Sequence, residues 1–515
     1  MAETVDRTDI RSGPGPRVPT GIAGLDYVLG GGLVPGRFYL VDGPPGSGKT
    51  TLALQFLLEG VARGEPGLYI TLSETADELK AVAAAHGWSL DRLSIFELAS
   101  AEGRLARDHE VTLLHPWEME LGETTQAMLR EIERCAPARV VLDGFSEIRL
   151  LAQDALRYRR EILALKQHFA GRSCTVLTLN DGVSPGDDPQ LQSVMHGVIF
   201  LEKRLQEFGT ERRRLRVLKM REAPFRGGHH DFVIRTGGLV VFPRLVAAEH
   251  YKPFAGEPLK SGIGGLDAML EGGPLYGTAT ILIGPAGSGK STLAMQWVLA
   301  AAKQGGNSAV YVFDERLGTL LGRVAQLGMD LRPFIDAGRI ALEQIDPAEL
   351  SPGEFIHKVR HQVENRGARI VVIDTLNGYF NAMPEERSLV LQLHELLSYL
   401  NQQGVATFLI LAQHGLIGQV SSPLDLSYMS DTVLLLRFFE TEGRVRKCLA
   451  VVKNRGGGHE DTIRELRIGR TGIEIGEPLT AFRGVLTGTP AYTGATDPLL
   501  SNGEGGGRHG GNIPI

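Results

Sequence analysis

The chain has 515 residues, of which 43% are hydrophobic and 22% are charged, and its formal net charge is −6. This length exceeds what a single hydrophobic core usually serves, and the negative charge argues against a constitutive nucleic-acid coat. The three cysteines, Cys135, Cys174 and Cys448, lack the close spacing of a metal site or a disulfide framework. No run of about 18 apolar residues predicts a membrane span. We therefore expect a cytoplasmic protein without a membrane segment.

A phosphate-binding loop is predicted near the start of the chain. Residues 43–50 read GPPGSGKT, directly after the apolar segment 37–42 and before a helix predicted over 51–62. In such a loop the backbone N–H groups surround the phosphates, the lysine reaches the β- and γ-phosphates, and the last hydroxyl holds Mg²⁺. The ATP ligands predicted here are Gly43, Gly46, Ser47, Gly48, Lys49, Thr50 and Thr51, and Thr50 is also predicted to bind Mg²⁺.

Acidic residues follow two of the next predicted strands. The strand 67–72 ends at Ser73 and Glu74, and the strand 139–142 ends at Asp143. Because ligands of α/β sheets bind beyond the carboxyl ends of the strands, we expect Glu74 to point toward the nucleotide. Asp143 is predicted to hold Mg²⁺, and the alternative is an ordinary capping aspartate.

A basic segment, residues 211–216 (ERRRLR), leads into a predicted strand. Its arginines fit either the solvated face of a strand or a nucleic-acid surface. No aromatic residues are interleaved to stack on bases, so the sequence favours the solvated face. We therefore expect no nucleic-acid partner.

The second half of the chain repeats the first. Residues 284–291 read GPAGSGKS, and Lys49 recurs as Lys290, 241 positions later. The same offset relates residues 24–26 to 265–267, which both read GLD, and Lys219-Met220-Arg221 recurs as Lys453-Asn454-Arg455. Two tandem copies of one domain follow. The predicted organisation is a flexible arm (1–17), a first domain (18–246, called the first repeat), a linker (247–258), a second domain (259–486, called the second repeat) and a flexible tail (487–515).

The second repeat carries its own candidate site. Its strand 309–313 is followed by Asp314 and Glu315, and its strand 369–373 ends on Asp374. The predicted ATP ligands are Gly284, Gly287, Ser288, Gly289, Lys290, Ser291 and Thr292, with Ser291 and Asp374 holding Mg²⁺.

These motifs together resemble the KaiC family, the tandem members of the RecA/RadA group of P-loop ATPases. The resemblance covers residues 18 to about 486 and rests on motifs that occur in both halves. It implies an α/β fold with two tandem RecA-like P-loop domains and mainly parallel central sheets. It also implies a homo-hexamer with ATP between neighbouring subunits. Lys219 and Arg221, and likewise Lys453 and Arg455, would then reach the γ-phosphate of the adjacent subunit, the arginines as catalytic residues.

The two repeats differ in the carboxylates that the family uses to orient the nucleophile. The second repeat has Asp314-Glu315, whereas the first has Ser73-Glu74. Serine is no base at neutral pH, so Glu74 is the sole candidate in the first repeat. We expect both repeats to hydrolyse ATP, with the rate of the first left open.

The resemblance also implies a phosphoacceptor. Alignment on Asp431-Thr432 places Ser427 and Tyr428 where clock-type members carry a serine and a threonine that accept phosphate. The leading hypothesis is a hexameric signalling or timing ATPase, with protein partners, that phosphorylates itself on Ser427. Two alternatives remain: a recombinase-like, DNA-associated ATPase, and a nucleotide-gated partner-binding module without kinase activity.

Overall fold

A computed structural model describes residues 15–98, 116–152, 154–182, 184, 187–206, 209–381, 388–413, 427–441, 443–486 and 491–492. Of residues 116–120, 381, 388, 427 and 492 only the backbone is described. By contacts, these residues form two compact units. One unit holds 15–251, 345–365 and 388–399, and the other holds 252–344, 366–381 and 400–492. Within the described ranges no helix is long and apolar enough to cross a membrane.

The first repeat contains a sheet of nine strands within the described residues. They are β1 (Phe38–Asp42), β2 (Gly67–Thr71), β3 (Ser94–Glu97), β4 (Arg139–Asp143), β5 (Thr175–Asn180), β6 (Gly197–Arg204), β7 (Arg212–Met220), β8 (His230–Arg235) and β9 (Gly238–Phe242). Their spatial order is β3-β2-β4-β5-β1-β6-β7-β8-β9. Strands β3 to β6 in this order are parallel, and β6 to β9 are antiparallel.

Helices accompany this sheet. In chain order they are α1 (Ala23–Val28), α2 (Lys49–Ala62), α3 (Ala76–Ala85), α4 (Pro116–Cys135), α5 (Phe145–Ala152), α6 (Ala155–Phe169) and α7 (Pro189–Val194). The sheet is buried on both faces, as expected for a parallel sheet with helices on each side. Along β4, Val140 and Leu142 join one core cluster, whereas Val141 joins the other. This alternation follows from the two-residue period of a strand.

The second repeat has the same topology. Its strands are β10 (Ala279–Pro285), β11 (Asn307–Val312), β12 (Ile340–Gln344), β13 (Ala368–Asp374), β14 (Ala406–Gln413), β15 (Thr432–Thr441), β16 (Arg444–Asn454), β17 (Arg464–Gly469) and β18 (Gly472–Pro478). Their spatial order in the sheet is β12-β11-β13-β14-β10-β15-β16-β17-β18. The helices are α8 (Gly264–Met269), α9 (Lys290–Lys303), α10 (Leu317–Gln326), α11 (Arg332–Asp336), α12 (Pro352–Arg366), α13 (Leu376–Asn381) and α14 (Ser388–Gln402). Two short strands, β19 (Phe482–Arg483) and β20 (Ala491–Tyr492), pair separately.

The predicted fold class is therefore confirmed, and the repetition extends to strand register. Lys219 lies opposite Val198 between β7 and β6, and Lys453 lies opposite Val433 between β16 and β15. A register shift follows immediately in both sheets, between Val198 and Ile199 and between Val433 and Leu434. Such a bulge re-aims the strand end that carries the Lys-x-Arg motif.

One expectation from the sequence holds for only part of the basic segment. Arg213 and Arg216 of β7 are partly exposed, whereas Arg212 and Arg214 are buried. Arg214 pairs with Asp231 on β8 across 3.1 Å, and Arg213 pairs with Glu211 across 2.6 Å. Burial of an arginine requires such a partner. This segment is therefore committed to internal ion pairs.

Candidate nucleotide sites

Each phosphate-binding loop joins the central strand of its sheet to a helix. Strand β1 leads into α2 and β10 leads into α9, and both helices begin at the motif lysine. The residue before that lysine is in the left-handed region, with φ 105° at Gly48 and 107° at Gly289. A Cβ atom at Gly48 would lie 2.7 Å from Ile234 Cδ1, so the position needs glycine for both its backbone angle and its space.

The two loop lysines are held in the same way. Lys49 Nζ donates to the carbonyls of Gly43 at 2.8 Å and Pro44 at 3.1 Å. Lys290 Nζ donates to those of Gly284 at 2.7 Å and Pro285 at 2.8 Å. Burial lowers the pKa of Lys290 to about 8. Each ammonium is therefore turned into its own loop, where a phosphate group would contact it.

Buried atoms in both loops fit a phosphate ligand. The hydroxyls of Ser47 and Ser288 are fully buried, and neither has a hydrogen-bond partner among the described residues. A buried hydroxyl without a partner is costly. An oxygen-rich ligand in the loop would satisfy it.

The candidate magnesium ligands are arranged differently in the two repeats. In the second, the hydroxyl of Ser291 hydrogen-bonds to Asp374, whose pKa burial raises to about 6, and Asp374 Oδ2 has no partner among the described residues. In the first, the hydroxyl of Tyr69 donates to Asp143 Oδ2 at 2.5 Å, and Thr50 hydrogen-bonds to Tyr69. A tyrosine thus lies between the first pair, whereas the second pair is in direct contact.

A metal at either site would share its ligands with the nucleotide. Among the described residues no group of three or more His, Cys, Asp or Glu side chains is arranged to hold a metal ion. Mg²⁺ bound by one hydroxyl and one carboxylate, with substrate phosphates and water completing its shell, needs no such group. The residue pairs Thr50–Asp143 and Ser291–Asp374 fit that mode of binding.

The candidate bases that follow β2 and β11 have different surroundings in the two repeats. Burial, followed by the charge of Asp143, raises the pKa of Glu74, and Glu74 Oε2 has no partner among the described residues. Glu315 instead accepts a hydrogen bond from Arg323 Nη2 at 2.7 Å. The neighbouring Asp314 accepts one from the hydroxyl of Thr375. Glu74 is therefore the less constrained of the two candidate bases.

The Lys-x-Arg residues contact the segments that precede β6 and β15. Lys219 Nζ donates to the carbonyls of Gln192 at 2.9 Å and Ser193 at 3.1 Å, and Arg221 Nη2 donates to Ser193 at 3.2 Å. Lys453 Nζ donates to the Ser430 carbonyl at 2.6 Å, and the Arg455 backbone N–H donates to Asp431. The two motifs thus have equivalent places in the two repeats, and their action on a neighbouring subunit stays a prediction.

The candidate phosphoacceptor precedes β15. Residues Ser427–Met429 form a short 3-10 helix, and the side chain of Ser427 lies outside the described part of the chain. The next side chain, Tyr428, is 57% exposed. Phosphate acceptance by Ser427 stays a prediction.

Three side chains at these sites were not identified from the sequence: Tyr69, Asp181 and Arg323. Asp181 follows β5, and its carboxylate lies 2.8 Å from Lys49 Nζ. The rule that an acid after a buried strand faces the ligand, applied above to Asp143, would have found it. Tyr69 and Arg323 lie inside a strand and a helix, where only the register of the folded chain shows what they contact.

The sheets, the loops and the paired carboxylates recur in both repeats, and the family comparison agrees with them. Residues 18–246 and 259–480 each match the family described as "ATPase: KaiC". The chain belongs to the KaiC ATPase family. This assignment confirms the resemblance inferred from the motifs.

Relatives within this family align over most of the chain. The circadian clock protein KaiC3 of Synechocystis is 24% identical over 493 residues, which are 93% of this chain and 96% of the relative. KaiC2 of the same organism is 26% identical over 490 residues, or 92% and 84% of the two chains. The circadian clock oscillator protein KaiC of Thermosynechococcus vestitus is 24% identical over 485 residues, or 92% of each chain.

Proposed function

We propose that this KaiC-family ATPase binds and hydrolyses ATP with Mg²⁺ at both P-loops. The observation that carries the proposal is the equivalent placement of Lys49 and Lys290, each turned into its loop by two carbonyl hydrogen bonds. Beside each lysine lie a hydroxyl and a carboxylate that fit a metal ion. This combination is the one that phosphoryl transfer from a nucleotide requires.

The residues have separable tasks in this mechanism. The loop N–H groups and the lysine bind and orient the phosphates, and the Thr50–Asp143 and Ser291–Asp374 pairs hold the metal. Bound Mg²⁺ would neutralise charge that develops on the phosphate oxygens. Glu74 and Glu315 orient the attacking water and accept its proton. Burial raises the pKa of Glu74, which favours that step.

The nucleotide-binding step has a direct test. Wild type should bind two ATP per chain, Lys49→Ala and Lys290→Ala should each bind one, and the double variant should bind none. Equilibrium dialysis with labelled ATP measures this stoichiometry. Thermal unfolding of each variant without nucleotide serves as a folding control. Two ATP bound to either single variant would overturn the assignment of its loop.

We further propose that the subunits form a hexamer with ATP between neighbours, in which Arg221 and Arg455 act on the adjacent subunit. The matching positions of the two Lys-x-Arg motifs in their sheets support this role. A ligand that binds only the assembled state stabilises that state. Gel filtration with and without ATP should therefore show larger particles with ATP in wild type and no response in the Lys49→Ala/Lys290→Ala variant. An ATP-independent hexamer in both proteins would overturn the coupling.

The second repeat is further proposed to transfer phosphate to Ser427, with Asp314 or Glu315 assisting. The support is the position of Ser427 four residues before Asp431, together with the names of the relatives, which are circadian clock proteins. We also propose a signalling or timing role in the cytoplasm, with protein partners whose binding the charge of the added phosphate would change. The transfer would join the γ-phosphorus of ATP to the serine oxygen, release ADP and pass the hydroxyl proton to a carboxylate.

Intact-mass measurement after incubation with ATP tests the transfer. Wild type and Tyr428→Phe should gain the mass of one phosphate, whereas Ser427→Ala and Glu315→Gln should gain none or gain it slowly. The Tyr428 variant is the matched control, because it removes a neighbouring exposed hydroxyl. An equal gain in Ser427→Ala would place the acceptor elsewhere.

A further inference from the structure

A carboxylate lies against the P-loop lysine in the first repeat. Asp181 Oδ1 is 2.8 Å from Lys49 Nζ, and the hydroxyl of Ser146 approaches the other carboxylate oxygen at 3.3 Å. Asp181 directly follows β5, whose last residue, Asn180, pairs with Asp42 just before the P-loop. The ammonium that the loop presents to the terminal phosphates is therefore already shared with a protein anion.

The second repeat has no charge at the equivalent position. In strand register, Leu411 pairs with Ile283 as Asn180 pairs with Asp42, so the residue equivalent to Asp181 is Ala412. A second contact confirms the equivalence. Asn377, at the start of α13, exchanges hydrogen bonds with the backbone of Ala412, at the place where Ser146 meets Asp181. Within the described ranges, the two sites thus differ by one carboxylate beside the lysine.

When the other charged side chains around the two P-loops are counted, the first site is again the more negative of the two. Among the described residues, the first site holds four carboxylates and two cations: Glu74, Asp143, Asp181 and Lys49, with the ion pair of Lys203 and Glu211 (2.8 Å) next to Gly46. The described part of the second site holds three carboxylates and two cations: Asp314, Glu315, Asp374, Lys290 and Arg323. The first site is therefore more negative before any phosphate enters, and each added phosphate charge costs more there.

We propose that Asp181 determines nucleotide specificity at the first site by competing with the γ-phosphate for Lys49. ADP lacks the γ-phosphate, so Asp181 competes less with ADP than with ATP for Lys49. The first site then binds ATP less tightly, relative to ADP, than the second site does. This inference rests on the proposed binding of nucleotide by the first repeat.

The size of the effect is limited by solvent. The Asp181 side chain is 48% exposed, whereas that of Lys49 is 10% exposed, so water partly screens the pair. Removal of the Asp181 charge leaves Lys49 with its two carbonyl acceptors and creates no unpaired buried cation. We expect a change of about two- to fivefold in the ratio of the dissociation constants for ATP and ADP, as for partly exposed ion pairs.

Binding measurements on the full chain test the proposal. In a Lys290→Ala protein, which keeps the first P-loop intact, Asp181→Asn should lower the ratio of the dissociation constants for Mg²⁺-bound β,γ-imido ATP and for ADP. Asparagine retains the shape and the acceptor for Ser146 but removes the charge. Ser146→Ala is the matched control and should leave the ratio within about twofold, because it changes no charge. In a Lys49→Ala protein, Ala412→Asp should raise the ratio at the second site.

Salt separates an electrostatic role from a structural one. The difference in this ratio between the Lys290→Ala parent and its Asp181→Asn variant should narrow between about 0.05 M and 0.5 M NaCl, because salt screens exposed charges. An unchanged ratio in Asp181→Asn, or equal weakening of both nucleotides, would overturn the inference while leaving the proposed ATPase intact. If the Lys290→Ala parent binds neither nucleotide, the proposed function of the first repeat fails, and the inference fails with it.

Discussion

Arg323 and Glu315 form an ion pair at the second site, with 2.7 Å between Arg323 Nη2 and Glu315 Oε2. Arg323 also donates to the hydroxyl of Thr292 at 3.2 Å, so it links the candidate base to the helix that follows the P-loop. Arg323 lies on α10, and the equivalent position of α3 is Val82. Glu74 consequently lacks such a partner among the described residues, and the two candidate bases differ in how firmly they are held.

Replacement of Arg323 by the residue of the first repeat should raise ATP turnover at the second site. In Arg323→Val, Glu315 loses a charge-assisted hydrogen bond that competes with its acceptance of a proton. The pair is about one-third exposed, so we expect a rise of about two- to tenfold in kcat. Turnover in a Lys49→Ala background isolates the second site. A fall in turnover would show that Arg323 positions Glu315 for the reaction.

Tyr69 gives the first site a different constraint. Its hydroxyl is buried against Asp143. By strand register, Val310 and Asp374 of the second repeat correspond to Tyr69 and Asp143, so a valine takes the place of the tyrosine there. Tyr69→Phe should destabilise the first repeat by about 1–3 kcal/mol, because one carboxylate oxygen loses its donor. It should also raise the Mg²⁺ concentration for half-maximal nucleotide binding by about tenfold, as expected when the support of a metal ligand is removed.

Tyr39→Phe is the matched control for this experiment. Tyr39 is equally buried, and its hydroxyl bonds the backbone of Val34, away from Asp143. Its loss should lower the free energy of unfolding, measured with urea, and leave the Mg²⁺ requirement unchanged. The same Mg²⁺ shift in both variants would assign Tyr69 a general packing role.

The sequence predicted the elements that build the sites, because local signals define them. The glycine pattern around Lys49, the apolar runs before Glu74 and Asp143, and the recurrence of each motif all act over short segments or by simple repetition. The observed α2 begins at Lys49, two residues before the predicted start, since the loop glycine is the cap. The apolar runs predicted buried strands, and the mainly parallel arrangement of these strands followed from the resemblance to the KaiC family.

The contacts that distinguish the two sites could not be predicted from such local sequence signals. Tyr69 meets Asp143 only because β2 and β4 pair in parallel with Thr71 opposite Asp143. The buried arginines of β7 were likewise misjudged, because their partners are distant in sequence: Arg214 pairs with Asp231 on another strand, and Arg212 donates to the carbonyls of Pro347 and Ala348. Periodicity predicts which face of a strand is buried, but it does not show which partner strand lies alongside.

The proposed action of Arg455 on a neighbouring subunit predicts complementation. Arg455→Ala should lower turnover at the second site by about 10³–10⁵-fold while nucleotide still binds. Lys290→Ala subunits retain Arg455 but lack a working second P-loop. Mixed particles of the two variants, both in a Lys49→Ala background, should therefore regain turnover at interfaces where one subunit supplies Arg455 and the other supplies Lys290. Turnover no higher than the sum of the separate variants would contradict action between subunits.

Different side chains anchor the strand ends that carry Arg221 and Arg455. In the first repeat the Phe38 N–H donates to His196 Nδ1 at 3.3 Å, and the Arg221 N–H donates to the His196 carbonyl. In the second repeat the Ala279 N–H donates to Asp431 Oδ2 at 2.9 Å, and the Arg455 N–H donates to the Asp431 carbonyl. A neutral imidazole thus occupies the place of a carboxylate.

This difference predicts that low pH weakens the hydrogen bond between the Phe38 N–H and His196 in the first repeat. Burial, followed by nearby positive charge, lowers the pKa of His196 to about 4, below its ordinary value near 6.5. The charged groups around it are Lys166, Arg37, Arg221 and Glu222. The folded state therefore binds fewer protons than the unfolded state between these two values. The contribution of neutral His196 to the free energy of unfolding is therefore complete above about pH 6.5 and is lost as the pH falls toward 4.

Amide hydrogen exchange at Phe38 measures the loss directly. Protection of this N–H should fall between pH 6.5 and 4, relative to a His196→Asn variant at the same pH, because asparagine keeps an acceptor that does not titrate in this range. Comparison at equal pH removes the intrinsic pH dependence of exchange. The Ala279 N–H, which bonds Asp431, is the internal control and should respond equally in both proteins. Equal loss of Phe38 protection in wild type and His196→Asn would show that His196 does not carry the acid response.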